Sequence, residues 1–510
     1  MSYLANPTRY NLSIVYVSSV SANGIPVGSD ATGDGSIGAP FLTFAVALAS
    51  LARPGEIRFN GTSQASPTTY TLASSTLTLA LTLCSAVAGQ RIATLAGGGA
   101  TAAFTLSPTN GELISFVDVN IDPSLNVGGG PAARCLSLTS QSTTYSVILT
   151  NVKCQNWTTY AVYAPSAAFK GNITVTDGTF TGGSVSGAIN LATQDAGSLT
   201  VNGSTSVTIT LQQTASVGAI VNQVATSSGV SSYVKVTTAS LTLDPALSGA
   251  ATHYGIVVRN VANALIDGGT HTCTGPTSRQ VYMTGVSQGA SAPFLSIANS
   301  TIQNVTVNHS ADGGIAIFTS QDSSGYTRSL APGCIVQDCI VDGTGGTSHG
   351  IFLCAGEDQI ARRNSITNAA IALPAKYSTR PQIYQNTVTG ATSSYSQWKG
   401  SQGVVQYSNV WTSTASHSGV MFSVLRDTAT LETSDGTITG DQFVVNGATN
   451  IQLGKIEDTS TATVVGCDWQ LTSGTLNAHP WVWQGANVDL FNGVGGWQAD
   501  HGPTDTSNIP

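Results

Sequence analysis

The chain has 510 residues, with 18 basic and 26 acidic side chains, 55 glycines and a formal net charge of −8. No Lys/Arg cluster is present to hold a phosphate backbone, which excludes nucleic acid as a partner, and strongly anionic sugars such as pectate match 18 scattered cations poorly. Low charge with abundant Gly, Ser, Thr, Val and Ala points to many short strands and tight turns, and a 41% apolar share argues against disorder.

At the start, MSYLANPTRYNLSIVYVSS lacks a basic region followed by a long apolar core, so no secretory signal peptide is expected. No run of about 18 apolar residues occurs, so no membrane span is expected either. Residues 28–61, GSDATGDGSIGAPFLTFAVALASLARPGEIRFNG, hold a Gly/Asp turn, a short helical pattern and a strand ending in Asn60-Gly61. Asp30 and Asp34 are candidates for metal ligands or catalytic acids. The preferred reading is structural: they shape the turn that leads into a short capping helix. Gly97–Gly99 lacks the Lys-Ser/Thr of a phosphate loop and reads as a turn.

A loose unit then recurs: an apolar strand residue, an Asn or Asp, and another apolar residue. Its markers are Asp118, Asn151, Asp177, Asn202, Asp267, Asn299, Asp338, Asn364, Asn386, Asn409 and Asp435. A period in the low-to-mid twenties, stretched by insertions, predicts an all-β, right-handed single-stranded parallel β-helix with a short N-terminal capping helix. Asn or Asp at each bend accepts left-handed backbone angles, and its side chain reaches the same group one coil away. The expected organisation is a leading segment and cap over 1–75, coils over 76–440, and last coils with a Trp-rich cap over 441–510. Eight cysteines show no CxxC spacing and read as small core residues. No cofactor and no metal is expected.

The opening stretch resembles the leading segment of the pectate-lyase-like parallel β-helix superfamily. Gly35-Ser36, Pro40-Phe41, Thr43, Ala47, Gly55, Ile57 and Gly61 occupy the matching positions. The tail, with Trp497, Gln498, Gly502, Asp505 and Ser507, is similar to the closing segment of such chains. The superfamily includes polysaccharide lyases, glycoside hydrolases, adhesins and phage tailspikes. The resemblance therefore implies the fold and leaves the chemistry open. With no export signal, the expectation is a virion (tail) or extracellular protein most like a tailspike or receptor-binding protein. Its implied partners are a bacterial surface polysaccharide or lipopolysaccharide, two further copies in a homotrimer, and other virion tail proteins. A polysaccharide lyase or hydrolase off the virion, and a non-catalytic decoration protein or adhesin, are the alternatives.

Cleavage of a glycoside by hydrolysis needs two carboxylates, and a lyase needs a base and charge neutralisation. The densest polar region is 349–384. There Glu357 and Asp358 are candidate acid and base, with His349, Arg363, Lys376, Tyr377 and Arg380 as candidate sugar-binding residues. A solvated turn with exposed ion pairs is the plainer reading of the same residues. Asp312 and Asp322, beside His309, Tyr326 and Arg328 in an inserted loop, form a second catalytic candidate. Trp398 and Trp411 are candidate sugar platforms, whereas Trp481, Trp483 and Trp497 read as end caps.

Overall fold

The computed structural model describes the chain from 13 to 488, except 52–53, 73–75, 79, 109–111, 128–131, 140–143, 165–168, 214–217, 225–232, 245–253, 260, 262, 274–278, 285–299, 310–313, 321–332, 344–348, 417–418, 428–430, 458, 478–480 and 484–485. Within strands, the side chains of 169, 184, 192–196, 204–206, 212–213, 221–224, 244, 273, 309, 481–483 and 486–488 are also not described. Two compact units divide at Ser240/Leu241.

The strands of both units stack in parallel from one coil to the next, except that Trp481–Trp483 and Ala486–Val488 pair antiparallel. In the first unit, Ile14–Val17 pairs with Gly55–Phe59, which pairs with Leu81–Ser85, then Leu113–Val117 and Tyr145–Thr150. Two further stacks run beside it, one through Ala93–Ala96 and Lys153–Gln155, the other through Ala102–Leu106, Arg134–Leu138 and Tyr160–Tyr163. The second unit repeats the plan over three faces. Its first face runs Asn263–Asp267, Thr301–Gln303, Ile335–Gln337, Ile360–Arg362, Gln382–Tyr384 and Val404–Tyr407. The second includes Ile340–Asp342, Ser365–Thr367, Thr387–Thr389 and Val410–Thr412. The third runs Tyr254–Arg259, Arg279–Thr284, Ile315–Ser320, His349–Cys354, Ile371–Lys376 and Ser394–Lys399. This is a parallel β-helix, as the repeat predicted. Ile335, Ile360, Gln382 and Val405 are register partners, so the coils here are 25, 22 and 23 residues long.

Short strands of alternating character produce this arrangement. In Ile360–Arg362 only Ala361 is buried, and Ile383 fills the same place one coil on. Each coil alone would expose its apolar side, so the core exists only once neighbours stack. Bends use left-handed residues. Asp118, Asn151, Asp177 and Asp338 adopt φ between 46° and 55°, as their type predicts. At the next coils the pattern differs. The left-handed residues are Arg363, Gln385 and Ser408, and the Asn that follows each one turns inward. Asn364 Nδ2 donates to Asn386 Oδ1, and Asn386 Nδ2 to Asn409 Oδ1, both at 2.9 Å. The ladder pairs polar groups that the bend would otherwise strand in the core.

The seven described cysteine side chains are buried and form no disulfide. Burial pushes the Cys334 and Cys339 thiols up to about 12, so they are inert core residues.

The opening stretch folds as a cap. Asp30 Oδ1 accepts from the backbone N–H of Leu42 and of Thr43, both at 2.9 Å. Thr43 is the N-cap of α1 (Phe44–Ser50) and its hydroxyl accepts from Val46 N–H. Phe44 is buried against Phe59, with ring centroids 4.9 Å apart in an edge-to-face contact. The helix thereby covers the core of the leading coils. Asp34 Oδ1 accepts from Ser36 N–H, and hydrogen bonding from the Ser36 side chain, then from this N–H, holds its carboxyl below the usual range.

Candidate functional site

On the first face of the second unit, the outward position that ends each strand forms an unbroken row. The row reads Asp267, Gln303, Gln337, Arg362, Tyr384 and Tyr407. Side-chain hydrogen bonds run along it. Gln303 Nε2 donates to Asp267 Oδ2 at 3.0 Å, and Gln337 Nε2 donates to Gln303 Oε1 at 2.8 Å. Arg362 Nε donates to Gln337 Oε1 at 2.8 Å, and its Nη1 donates to the Tyr384 hydroxyl at 2.9 Å. Tyr384 and Tyr407 then stack, with centroids 4.6 Å apart and planes within 7°.

Each link orients the next. The Asp267 carboxylate can only accept, so both Gln amides point the same way along the row. Their carbonyl oxygens meet the donors of the next coil, and the guanidinium closes on the tyrosine. The Tyr384 hydroxyl accepts a hydrogen bond from Arg362, which leaves its O–H free to donate outward. Partial burial, then the neighbouring Tyr384, raises the Tyr407 pKa, so the Tyr407 hydroxyl stays protonated at neutral pH. Beside the row, Val405 is 40% exposed and supplies an apolar strip. Five coil steps of about 4.8 Å make the row roughly 24 Å long. Chemically it is an array of fixed donors and acceptors ending in aromatic rings.

Of the candidates read from the sequence, Arg363 adjoins this row, while His349 and Lys376 lie in strands of the third face. Arg363, on the adjoining bend, forms a two-point ion pair with Asp338, Nε to Oδ1 and Nη2 to Oδ2, each 2.7 Å. Glu357 and Asp358 do come together, on one guanidinium. Arg380 Nη2 donates to Glu357 Oε1 at 2.5 Å and to Asp358 Oδ2 at 3.0 Å, and its Nε donates to Asp358 Oδ1 at 3.0 Å. Lys376 sits 3.8 Å and Lys399 3.5 Å from Asp427, whose carboxylate is almost fully buried. His349 is half-buried and stacks on Phe352 at 4.9 Å. Burial, and then Lys376 and Arg279, lower its pKa to about 4. Asp312, Asp322, Tyr326 and Arg328 lie outside the described residues, as does the His309 side chain.

Three aromatic expectations are corrected. Trp398 is 1% and Trp411 0% exposed, so neither can serve as a sugar platform. Their indole N–H groups are satisfied inside: Trp398 Nε1 donates to Gln406 Oε1 and Trp411 Nε1 to Asp441 Oδ2. With the polar tip paired, full burial of the ring is favourable. Tyr377 is 3% exposed in a left-handed bend, its ring packed where Gly400 leaves space. Among the described residues no three His, Cys, Asp or Glu side chains gather as a metal site. The row Asp267–Tyr407 was missed as a unit. Its signal was the recurrence of polar or aromatic residues one position before each bend.

No protein-family model and no curated protein matches the chain. Among solved structures, it is similar to a lacto-N-biosidase from Eubacterium ramulus at 10% identity and a TM-score of 0.27, covering 92% of this chain and 66% of that one. It is also similar to the A-module of a mannuronan C-5 epimerase from Azotobacter vinelandii at 11% identity and a TM-score of 0.25, covering 89% and 91%. A periplasmic alginate epimerase follows at 10% identity and a TM-score of 0.18, covering 82% and 77%. Likeness at this level carries no argument about chemistry. The fold rests on the strand pairing itself.

Proposed function

We propose that this chain is a polysaccharide-binding β-helix whose ligand lies along the first face of the second unit, parallel to the coil stack. The observation that carries this reading is the continuous outward row from Asp267 to Tyr407. A repeating surface of fixed donors and acceptors suits a repeating chain of hydroxyls, and preorganisation lowers the entropic cost of binding. Tyr407 also faces the much shorter Thr439 in the next coil, which leaves room for a sugar ring on its outer face.

The finer reading is a phage tailspike-like receptor-binding protein, a homotrimer on a virion tail that holds a bacterial surface polysaccharide or lipopolysaccharide. The low charge and the resemblance at both ends support it. Depolymerisation by Glu357 and Asp358 is the catalytic extension of that reading.

The test is binding of the full chain to a panel of bacterial surface polysaccharides, with Tyr384→Ala and Arg362→Ala. A loss of about ten-fold or more, with the melting temperature within about 2 °C, is the expected result. Unchanged binding in both variants overturns the assignment. Mass measurement in solution tests the trimer. Release of oligosaccharides, lost in Glu357→Gln or Asp358→Asn, tests the catalysis.

A further inference from the structure

The third face of the second unit holds two arginines on one ring. Arg279 lies 4.9 Å and Arg259 5.4 Å from the Tyr282 ring centroid. Arg279 also lies 5.8 Å from the Tyr254 centroid and 5.0 Å from that of Phe318. Both arginine residues are half-buried, and Tyr282 and Phe318 are each 4% exposed. This bed is therefore built into the strands, not laid over them.

Among the described residues, no carboxylate compensates the charges of this pair. The ion pairs of the second unit engage Arg363, Lys376, Arg380, Lys399 and Lys455, and neither Arg259 nor Arg279 has a carboxylate within 4.0 Å among the described residues. Among the described residues, Arg259 Nε is buried with no hydrogen-bond partner. Cation–π contact offsets part of the cost of a half-buried guanidinium, and Arg279 also hydrogen-bonds the Tyr282 side chain, but neither contact supplies a negative charge. A cation without a carboxylate partner favours a ligand that supplies an anionic acceptor. A planar carboxylate or a sulfate matches the guanidinium fork. Lys376 is already engaged by Asp427, and His349 is neutral at physiological pH, so the two arginines supply the unmatched charge.

We propose that Arg259 and Arg279, set on Tyr282, form an anion subsite that takes the carboxylate or sulfate of an acidic sugar residue. Composition argued against acidic glycans because the cations appeared scattered. The fold gathers two of them on one ring. The proposal rests on the carbohydrate reading only in taking a saccharide as the carrier of the anion, and it concerns a different face from the Asp267–Tyr407 row.

The test is calorimetric binding of the full chain to an oligogalacturonate, a sulfated oligosaccharide and a neutral malto-oligosaccharide of equal length, at low salt. The variants are Arg279→Gln and Arg259→Gln, with Lys455→Gln as a charge control. An anionic ligand of at least one kind is expected to bind about ten-fold or more tighter than the neutral one. That preference is expected to vanish in either arginine variant and to survive in Lys455→Gln. Preference for only the carboxylated or only the sulfated ligand identifies the anion and supports the site. Equal binding of acidic and neutral ligands, or a preference that survives in both arginine variants, overturns it. If acidic binding depends on the arginines and is untouched by Tyr384→Ala, the subsite stands even where the row reading fails.

Discussion

Asn409 and Asp441 end the buried amide ladder: Asn409 Nδ2 donates to Asp441 Oδ1 at 3.0 Å, and the Asn409 backbone N–H donates to the same oxygen at 2.8 Å. The other oxygen, Oδ2, accepts from Gln406 Nε2 at 2.6 Å and Trp411 Nε1 at 2.8 Å. A ladder of asparagines passes one amide hydrogen per coil and must finish on an acceptor. Asp441 provides it, fully buried, with four N–H donors around one carboxylate. Burial pushes its pKa up to about 6 against those donors, so at pH 7 the group is mainly ionised.

Asp441→Asn therefore costs more than its isosteric shape suggests. The new amide keeps one oxygen for Asn409 but turns a donor toward Gln406 Nε2 and Trp411 Nε1. Gln406 cannot rotate its amide in compensation, because its oxygen already accepts from Ser396 Oγ at 2.6 Å and Trp398 Nε1 at 3.3 Å. Two buried donors lose their acceptor, at about 1–3 kcal/mol each. A denaturant midpoint at pH 7 showing a loss under about 0.5 kcal/mol would contradict the ladder-terminus account.

His349 sets an acid limit on stability. Its folded pKa of about 4 lies below the ordinary 6.5, with burial as the main cause and Lys376 and Arg279 as the next. The unfolded chain takes up this proton near pH 6.5 while the folded chain refuses it until about pH 4. The contribution is thus complete above pH 6.5 and is lost as pH falls through that window. Its upper bound is about 3 kcal/mol. In His349→Gln the difference in stability between pH 7 and pH 4 is expected to shrink by a measurable part of this. Equal pH slopes in the two proteins would refute it.

The coil repeat was legible because the core demands it: one apolar residue per short strand, and a bend marker at each corner. Asp338 shows this directly, with its left-handed backbone predicted from type alone. Asn364, Asn386 and Asn409 share the marker pattern but do a different job, since a one-residue shift sends the side chain inward instead of into solvent. Local pattern does not encode that shift. Trp398 and Trp411 were misplaced for a related reason. Whether an indole faces out depends on whether a partner waits inside, and Gln406 comes from another strand and Asp441 from a later bend. Glu357, Asp358 and Arg380 were legible as neighbours because one coil separates them. Arg259 and Arg279 were not, since 19 residues of intervening chain hide that they share a ring.

Asp30 acts as the clasp of the leading cap. One carboxylate oxygen holds the N–H groups of Leu42 and Thr43, immediately before α1. Asp30→Asn keeps an oxygen in place and is expected to be nearly silent. Asp30→Ala frees two exposed N–H groups to water and is expected to cost about 1 kcal/mol, the scale of a lost helix cap. Thermal melting of both variants decides this. If Asp30→Asn is as damaging as Asp30→Ala, the charge matters more than the hydrogen bonds.

Arg380 offers the sharpest separation of backbone from side-chain effects. It adopts φ 49°, and Gly403, next along that corner, adopts φ 61°. Its guanidinium holds Glu357 and Asp358, but it is 55% exposed, and surface pairs contribute little. Arg380→Gly loses those pairs and gains unfolded-chain entropy, yet it relieves a left-handed L-residue, an effect of about 1–2 kcal/mol. The expected net change is within about 1 kcal/mol. Arg380→Val loses the same pairs and places a β-branched side chain at positive φ, with an expected cost above about 2 kcal/mol. Comparable losses in the two variants would show that the ion pairs, and not the bend, determine what this position tolerates.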